Sequence, residues 1–335
     1  MNSFASSPVS PVAAVLYPET SPLRTHALSV SGGHTLHVQE FGDANGIPAV
    51  VLHGGPGSGS SPLLRRFLDP ARYRVIGFDQ RGAGRSTPRG ETRHNTTADL
   101  LADLRTIRLH LGIDRWLVVG GSWGATLALA HALAEPKVVS GLLLRAPFLA
   151  RAQDIDGFFQ GTAADLPEAW SRFVAVAPPE RRHALLEVLA DDLQGDVAQA
   201  APLALAWWRW ELAMSGTLAA STVPNEPEGE ALLALIDRYR VQSHYLRHRC
   251  WLDVPPLLDR CGALPRVPTA LLQGTADRIC PPDGARELHR RVAHSTLRLV
   301  DGVGHDPTHP AMVAAMVNAL DAYADRASFE WQDIA

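Results

Sequence analysis

Trp116-Leu-Val-Val-Gly-Gly-Ser-Trp-Gly-Ala-Thr-Leu-Ala-Leu-Ala-His-Ala-Leu-Ala134 decides the fold. Trp116 to Val119 is a short, continuous apolar run, the pattern of a strand buried on both faces. Gly120 to Gly124 forms a tight turn with Ser122 at its tip. An Ala/Leu-rich segment of helical composition follows and is closed by Pro136. Gly120-Gly121-Ser122-Trp123-Gly124 fits the G-x-S-x-G nucleophile elbow. In that turn the strand-to-helix reversal lifts the serine oxygen clear of the sheet, and glycines remove side chains that would collide. The helix N-terminus beneath Ser122 favours negative charge developing there. The competing reading of the motif alone is a plain glycine-rich turn in an open sheet, so the surrounding chain has to decide.

Upstream, Leu28 to Val30 and Thr35 to Phe41 read as a hairpin around Ser31-Gly32-Gly33-His34. His34 and His37 lie on it with no grouped carboxylate or third histidine, which argues against a metal site. Ala49 to Leu52 is a buried strand that runs into His53-Gly54-Gly55-Pro56-Gly57. Gly54 to Ser60 lacks the Gly-Lys-Ser/Thr ending of a phosphate-binding loop, so this loop reads as one wall of an oxyanion hole. Tyr73 to Phe78 is a further strand, ending in Asp79-Gln80-Arg81-Gly82-Ala83-Gly84-Arg85-Ser86. Asp79 precedes the elbow and reads as structural. Ala98 to Leu111 has helical spacing and ends at Gly112.

Downstream, Val139 to Leu144 is a strand closing at Arg145-Ala146-Pro147. From Arg151 to Leu258 the chain shows helical patterns, prolines and many aromatics, with no convincing strand. Strand patterns return at Thr269 to Gln273 and Thr296 to Val300, and a helix spans Met312 to Tyr323. The expected architecture is an α/β-hydrolase fold, a mostly parallel central sheet flanked by helices, with an inserted helical cap. The expected division is a loose tail at 1–20, the core at 21–150 and 259–335, and the cap at 151–258.

Composition narrows the function classes. The 335 residues are 46% hydrophobic and 20% charged with a net charge of −4, enough apolar material for a large core. No basic run suggests nucleic acid or an anionic membrane, and no apolar run approaches the ~20 residues of a membrane span. The three cysteines, Cys250, Cys261 and Cys280, have no C-x-x-C spacing. That fits a reducing compartment, and with no signal-peptide pattern the expected location is the cytoplasm.

A serine hydroxyl is a weak nucleophile that needs a base, and the base needs an orienting acid. In α/β-hydrolases the order along the chain is Ser, then acid, then His. Asp277 in Gly274-Thr275-Ala276-Asp277 and His305 in Gly302-Val303-Gly304-His305 each follow one of the late strands. Both therefore fall at the carboxyl edge of the sheet, where sites of open α/β sheets collect. Ser122, Asp277 and His305 are the candidate triad, and the backbone N–H groups of Gly55 and Trp123 are the candidate oxyanion donors. Acyl transfer by these groups requires no metal and no organic cofactor.

His-Gly-Gly-Pro-Gly at 53–57, Asp-Gln-Arg-Gly-x-Gly-x-Ser at 79–86, Asn-Thr-Thr at 95–97 and Gly-Gly-Ser-Trp-Gly at 120–124 together resemble the proline iminopeptidases. The resemblance runs from Leu16-Tyr17-Pro18-Glu19 to the C-terminal helix. It implies removal of N-terminal proline from small peptides with a free N-terminus. Trp-x-x-Trp-Glu at 207–211 resembles the segment whose glutamate holds the substrate amino group, here Glu211. Phe148 and Phe159 fall where the family has aromatics around the proline ring. The chain departs from the family at Gln242, two residues before His244-Tyr245, where a second glutamate is usual. It departs again at Leu246, where an aromatic is usual. An amide accepts hydrogen bonds without supplying charge, so a proline preference relaxed towards alanine is implied. Two other functions fit the core: an esterase or lactonase, for which Glu211 would be dispensable, and a silent binding protein, disfavoured by the intact triad.

Overall fold

A computed structural model describes residues 15–161, 164–215 and 225–329. Eight strands form one sheet: β1 (Arg24–Ser29), β2 (Thr35–Gly42), β3 (Ile47–Leu52), β4 (Tyr73–Phe78), β5 (Trp116–Gly121), β6 (Val139–Arg145), β7 (Thr269–Gly274) and β8 (Ser295–Val300). They lie in the order β1-β2-β4-β3-β5-β6-β7-β8. β2 pairs antiparallel with β1 and β4, and every later pairing is parallel. The central strands are apolar throughout because both faces are covered. Val50 and Val118 point into one hydrophobic cluster, and Val51, Leu117 and Val119 into the other. This is the period-two alternation of a strand used on both sides.

Two polar devices fix the loops at the carboxyl edge. Arg81 is fully buried and donates through Nε and Nη2 to both oxygens of Asp103, at 2.7 Å each. That ties the 79–86 loop to the helix Thr97–His110, whose first turn carries a capping box formed by Thr96 and Asp99. Asp79 accepts from the backbone N–H of Ser60 at 2.6 Å and of Arg85 at 2.9 Å. Its carboxylate thus organises two loops, in keeping with the structural reading.

Between β6 and β7 the described residues form helices, the longest being Val197–Ser215 and Gly229–Arg247. They enclose a separate hydrophobic cluster that includes Phe173, Trp207, Trp210 and Tyr239. Aromatic stacking orders it: Trp207 lies 4.7 Å from Tyr239 and Phe173 lies 5.7 Å from Trp210, centroid to centroid. The helix Gly229–Arg247 is pinned to the sheet side by Tyr245, whose hydroxyl donates to Asn95 Oδ1 at 2.8 Å. His244 Nε2 meets Asn95 O at 3.1 Å. Leu252, Leu257 and Leu258, inside the stretch assigned from sequence to the cap, pack instead into the cluster on the sheet.

Of the predicted tail, 1–14 lie outside the described residues. Its remainder is anchored: the Tyr17 hydroxyl donates to Asp321 at 2.8 Å, and Tyr17 N–H donates to Arg66 O at 2.9 Å. The boundary at residue 20 is therefore too late. Residues 216–224 also lie outside the described residues, and the helix that follows begins at Gly229. No helix among the described residues is long and apolar enough to cross a membrane.

Candidate active site

The elbow has the backbone its glycines foretell. Ser122 sits at φ 57°, ψ −125° between β5 and the helix Trp123–Ala134. This is a sparsely populated conformation that surrounding structure must hold. Ser122 N–H donates to Arg145 O at 2.9 Å, fastening the turn to the end of β6. A Cβ at Gly120 would lie 2.3 Å from Gly124 O, and one at Gly124 would lie 2.1 Å from Leu52 O. Neither position tolerates a side chain while the turn stays this tight.

The 53–57 loop lies against that turn, with the Cβ direction of Gly54 ending 3.5 Å from Ser122 Cβ. Gly55 adopts φ +112°, a conformation suited to glycine. His53 locks the loop from beneath. Its Nε2 accepts from Gln80 N–H at 3.0 Å and its Nδ1 meets Gly54 O at 2.9 Å. Burial keeps this imidazole below its usual pKa and therefore neutral. Gln80 completes the lock by donating to His53 O at 3.0 Å and accepting from Trp123 Nε1 at 2.9 Å. Three sequence motifs that looked independent are thus one hydrogen-bonded unit around the elbow. In the first turn of the helix Trp123–Ala134 the Ala125 N–H turns back to Ser122 O at 3.0 Å.

Asp277 and His305 meet: His305 Nδ1 lies 2.8 Å from Asp277 Oδ2. Asp277 Oδ1 accepts from the N–H groups of Ile279 at 2.9 Å and Cys280 at 2.8 Å. Burial opposes ionisation of Asp277, but the His305 ring, these N–H groups and the nearby Arg145 outweigh it and hold the carboxyl below its usual range. Arg145 also donates to His305 O at 2.9 Å, fixing the histidine loop.

Ser122 and His305 line the same cavity, of about 430 Å³. Among the described residues no hydrogen bond joins the Ser122 hydroxyl to the imidazole. Cys280 also lines the cavity, and burial and Asp277 push its thiol well above its usual pKa.

Glu211, Gln242, Phe148 and Leu246 all reach this cavity. On the helix Val197–Ser215, Trp207 and Trp210 turn into the aromatic cluster while Glu211 faces the opening. Glu211 Oε1 accepts from Gln242 Nε2 at 2.9 Å, and Oε2 accepts from Tyr239 at 3.1 Å and Arg238 at 2.5 Å. Arg238 was not anticipated. It lies one helical turn before Gln242, a spacing that places both on one face and could have revealed it.

Phe159 is a correction. It is buried in the aromatic cluster, 5.4 Å from Trp207, and the ring on the cavity wall is Phe158. Gly157–Gly161 forms a π-helical turn, which is wider than an α-turn and shifts which residue faces inward. Motif counting along the chain carries no sign of that extra residue.

Comparison with known proteins agrees with this architecture. The alpha/beta hydrolase fold family matches residues 47–309. The probable proline iminopeptidase of Leptolyngbya boryana is 38% identical over 315 residues, covering 92% of this chain and 96% of that protein. The proline iminopeptidase of Xylella fastidiosa (strain 9a5c) is 38% identical over 312 residues, covering 92% and 99%. The crystal structure of VinJ superposes with a TM-score of 0.63 at 20% identity, covering 90% of this chain and 99% of that one, and supports the fold alone. The fold and the elbow define the chain as an α/β-hydrolase. Within that class it belongs to the proline iminopeptidase family.

Proposed function

We propose that this protein is a serine aminopeptidase that releases N-terminal proline, and alanine as a secondary residue, from small peptides. The observation that carries the reading is the Asp277–His305 hydrogen bond on the wall of a cavity shared with Ser122 and Glu211. In this reading Asp277 keeps the proton of the imidazole on Nδ1, leaving Nε2 free to act as base. Ser122 Oγ turns to the imidazole as substrate enters, since catalytic hydrogen bonds of this kind often tighten only with substrate in place. Its oxygen attacks the prolyl carbonyl while His305 takes the proton. The N–H groups of Gly55 and Trp123 receive the developing oxyanion. His305 then protonates the departing amine, water enters, and the same histidine activates it to cleave the acyl-enzyme.

Glu211 and Gln242 line one cavity side by side, and in this reading they hold the substrate nitrogen. Gln242 is 5% exposed, and its Oε1 is a buried acceptor with no partner. A secondary ammonium brings two N–H donors, one for each of these side chains. Acylating the prolyl nitrogen gives a tertiary amide with no N–H, so both donors and the positive charge are lost and bulk is added. Pro-Xaa dipeptides are expected to turn over, and their N-acetyl forms to do so about ten-thousandfold more slowly, the scale on which a site built around polar partners rejects a ligand that leaves them unpaired. Comparable rates would instead favour an esterase-like enzyme indifferent to the amine. Three buried, unpaired cysteines support work in a reducing compartment, the cytoplasm.

A further inference from the structure

Arg238, on the wall of the same cavity, changes what the Glu211 subsite can accept. Its guanidinium reaches Glu211 Oε2 at 2.5 Å, with 27% of the Arg238 side chain and 15% of the Glu211 side chain exposed. Burial works against the charge on Arg238, but the attraction of Glu211 more than offsets it and raises the guanidinium above its usual pKa. The glutamate therefore already has a cationic partner before any substrate arrives. The second anchoring side chain, Gln242, is uncharged. Two unsatisfied groups remain beside the pair: the Gln242 Oε1 acceptor and the Arg238 Nε donor, both buried without a partner. The Gln242 amide cannot be turned over to relieve this, because its Nε2 is the donor that the Glu211 carboxylate requires.

A subsite with an ion pair, one orphaned acceptor and one orphaned donor suits a neutral group that both donates and accepts. An α-hydroxyl is such a group. We propose that Arg238 is a specificity-determining residue: by pairing with Glu211 it makes the amine subsite electrically neutral, so the enzyme also hydrolyses α-hydroxyacyl substrates. This rests on the acyl-transfer reading of Ser122 given above. The chemistry is unchanged: the acyl carbon leaves the amine for Ser122 Oγ, the amine departs with the proton from His305, and water releases the hydroxy acid.

The test uses a matched pair, L-alanyl-4-nitroanilide and L-lactoyl-4-nitroanilide, which differ only in the ammonium and the hydroxyl, with L-prolyl-4-nitroanilide as reference. The intact protein is expected to cleave the lactoyl compound, with a kcat/KM within about tenfold of the alanyl value. Arg238→Met frees the Glu211 carboxylate and is expected to raise the alanyl-to-lactoyl ratio by about tenfold or more, the scale of one hydrogen bond to a charged group. Arg238→Lys keeps the positive charge and should keep the ratio. A purely structural arginine would lower both substrates together in Arg238→Met and leave the ratio unmoved, which overturns the proposal. A lactoyl compound left intact while prolyl turnover is normal also overturns it, and leaves the aminopeptidase reading standing. Loss of turnover on all three compounds would overturn that reading instead.

Discussion

Ser122→Ala is expected to lower kcat on a prolyl amide by about a millionfold, the scale seen when a triad nucleophile is removed. The size follows from position. Ser122 is held at φ 57° between two glycines that tolerate no Cβ, at the start of a helix and against the loop bearing Gly55. Cys280 also lines the cavity, but its thiol is kept protonated by burial and by Asp277. It cannot substitute at neutral pH. The substitution removes one oxygen from a site that stays otherwise intact, so KM should change little. A residual rate above about a hundredth of the original would show that Ser122 is not the acylated atom.

Asp277→Asn is expected to cost about ten-thousandfold in kcat, without unfolding the protein. The carboxylate does two things at once here. Oδ2 receives the His305 ring, and Oδ1 receives the N–H groups of Ile279 and Cys280 that shape the loop. An amide oriented with its oxygen towards those N–H groups turns its NH₂ towards His305 Nδ1. That favours the tautomer with the proton on Nε2, which cannot accept from serine. The low pKa of Asp277 also fixes its pH behaviour. A carboxyl depressed in the folded state contributes stability above its unfolded value and loses that contribution as pH falls through the folded one. The variant should therefore show a weaker acid destabilisation than the parent, read as the difference in Tm between neutral and acidic buffer. An unchanged kcat would remove Asp277 from the triad.

The fold was readable wherever a local pattern carried its own physics. β4 runs over the residues expected, and the other expected strands and the helices at Thr97–His110 and Pro310–Arg326 fall within a few residues of expectation. Their apolar runs and glycine or proline stops are local statements. The candidate triad could be chosen from the sequence because each member follows a strand and the chain order restricts the choice, and the structure joins two of the three, Asp277 and His305. What escaped depended on contacts between distant segments. Tyr17 reads as part of a tail until Asp321 is placed opposite it. Leu257 and Leu258 follow a helical stretch in sequence but pack under the sheet. Phe158 replaces Phe159 on the cavity wall because one turn widens. Arg238 is the most consequential omission. A lone arginine on an amphipathic helix looks like a solvated charge, and only the approach of the helix Val197–Ser215 brings Glu211 to it.

The Arg238–Glu211 ion pair also explains why charge alone is a poor guide to this pocket. Counting Glu211 as a free anion predicts strong selection for a cation. Counting Arg238 with it leaves a polar, neutral cradle whose selectivity rests on hydrogen-bond matching.

Labelling with a fluorophosphonate, followed by peptide mass mapping, tests most directly whether the hydroxyl, imidazole and carboxylate act together. The account predicts one adduct per chain, located on Ser122, with prolyl hydrolysis lost in proportion to labelling and the reaction abolished in His305→Ala. A chain that stays unlabelled, or that carries the adduct on Ser122 and keeps its activity, would contradict it.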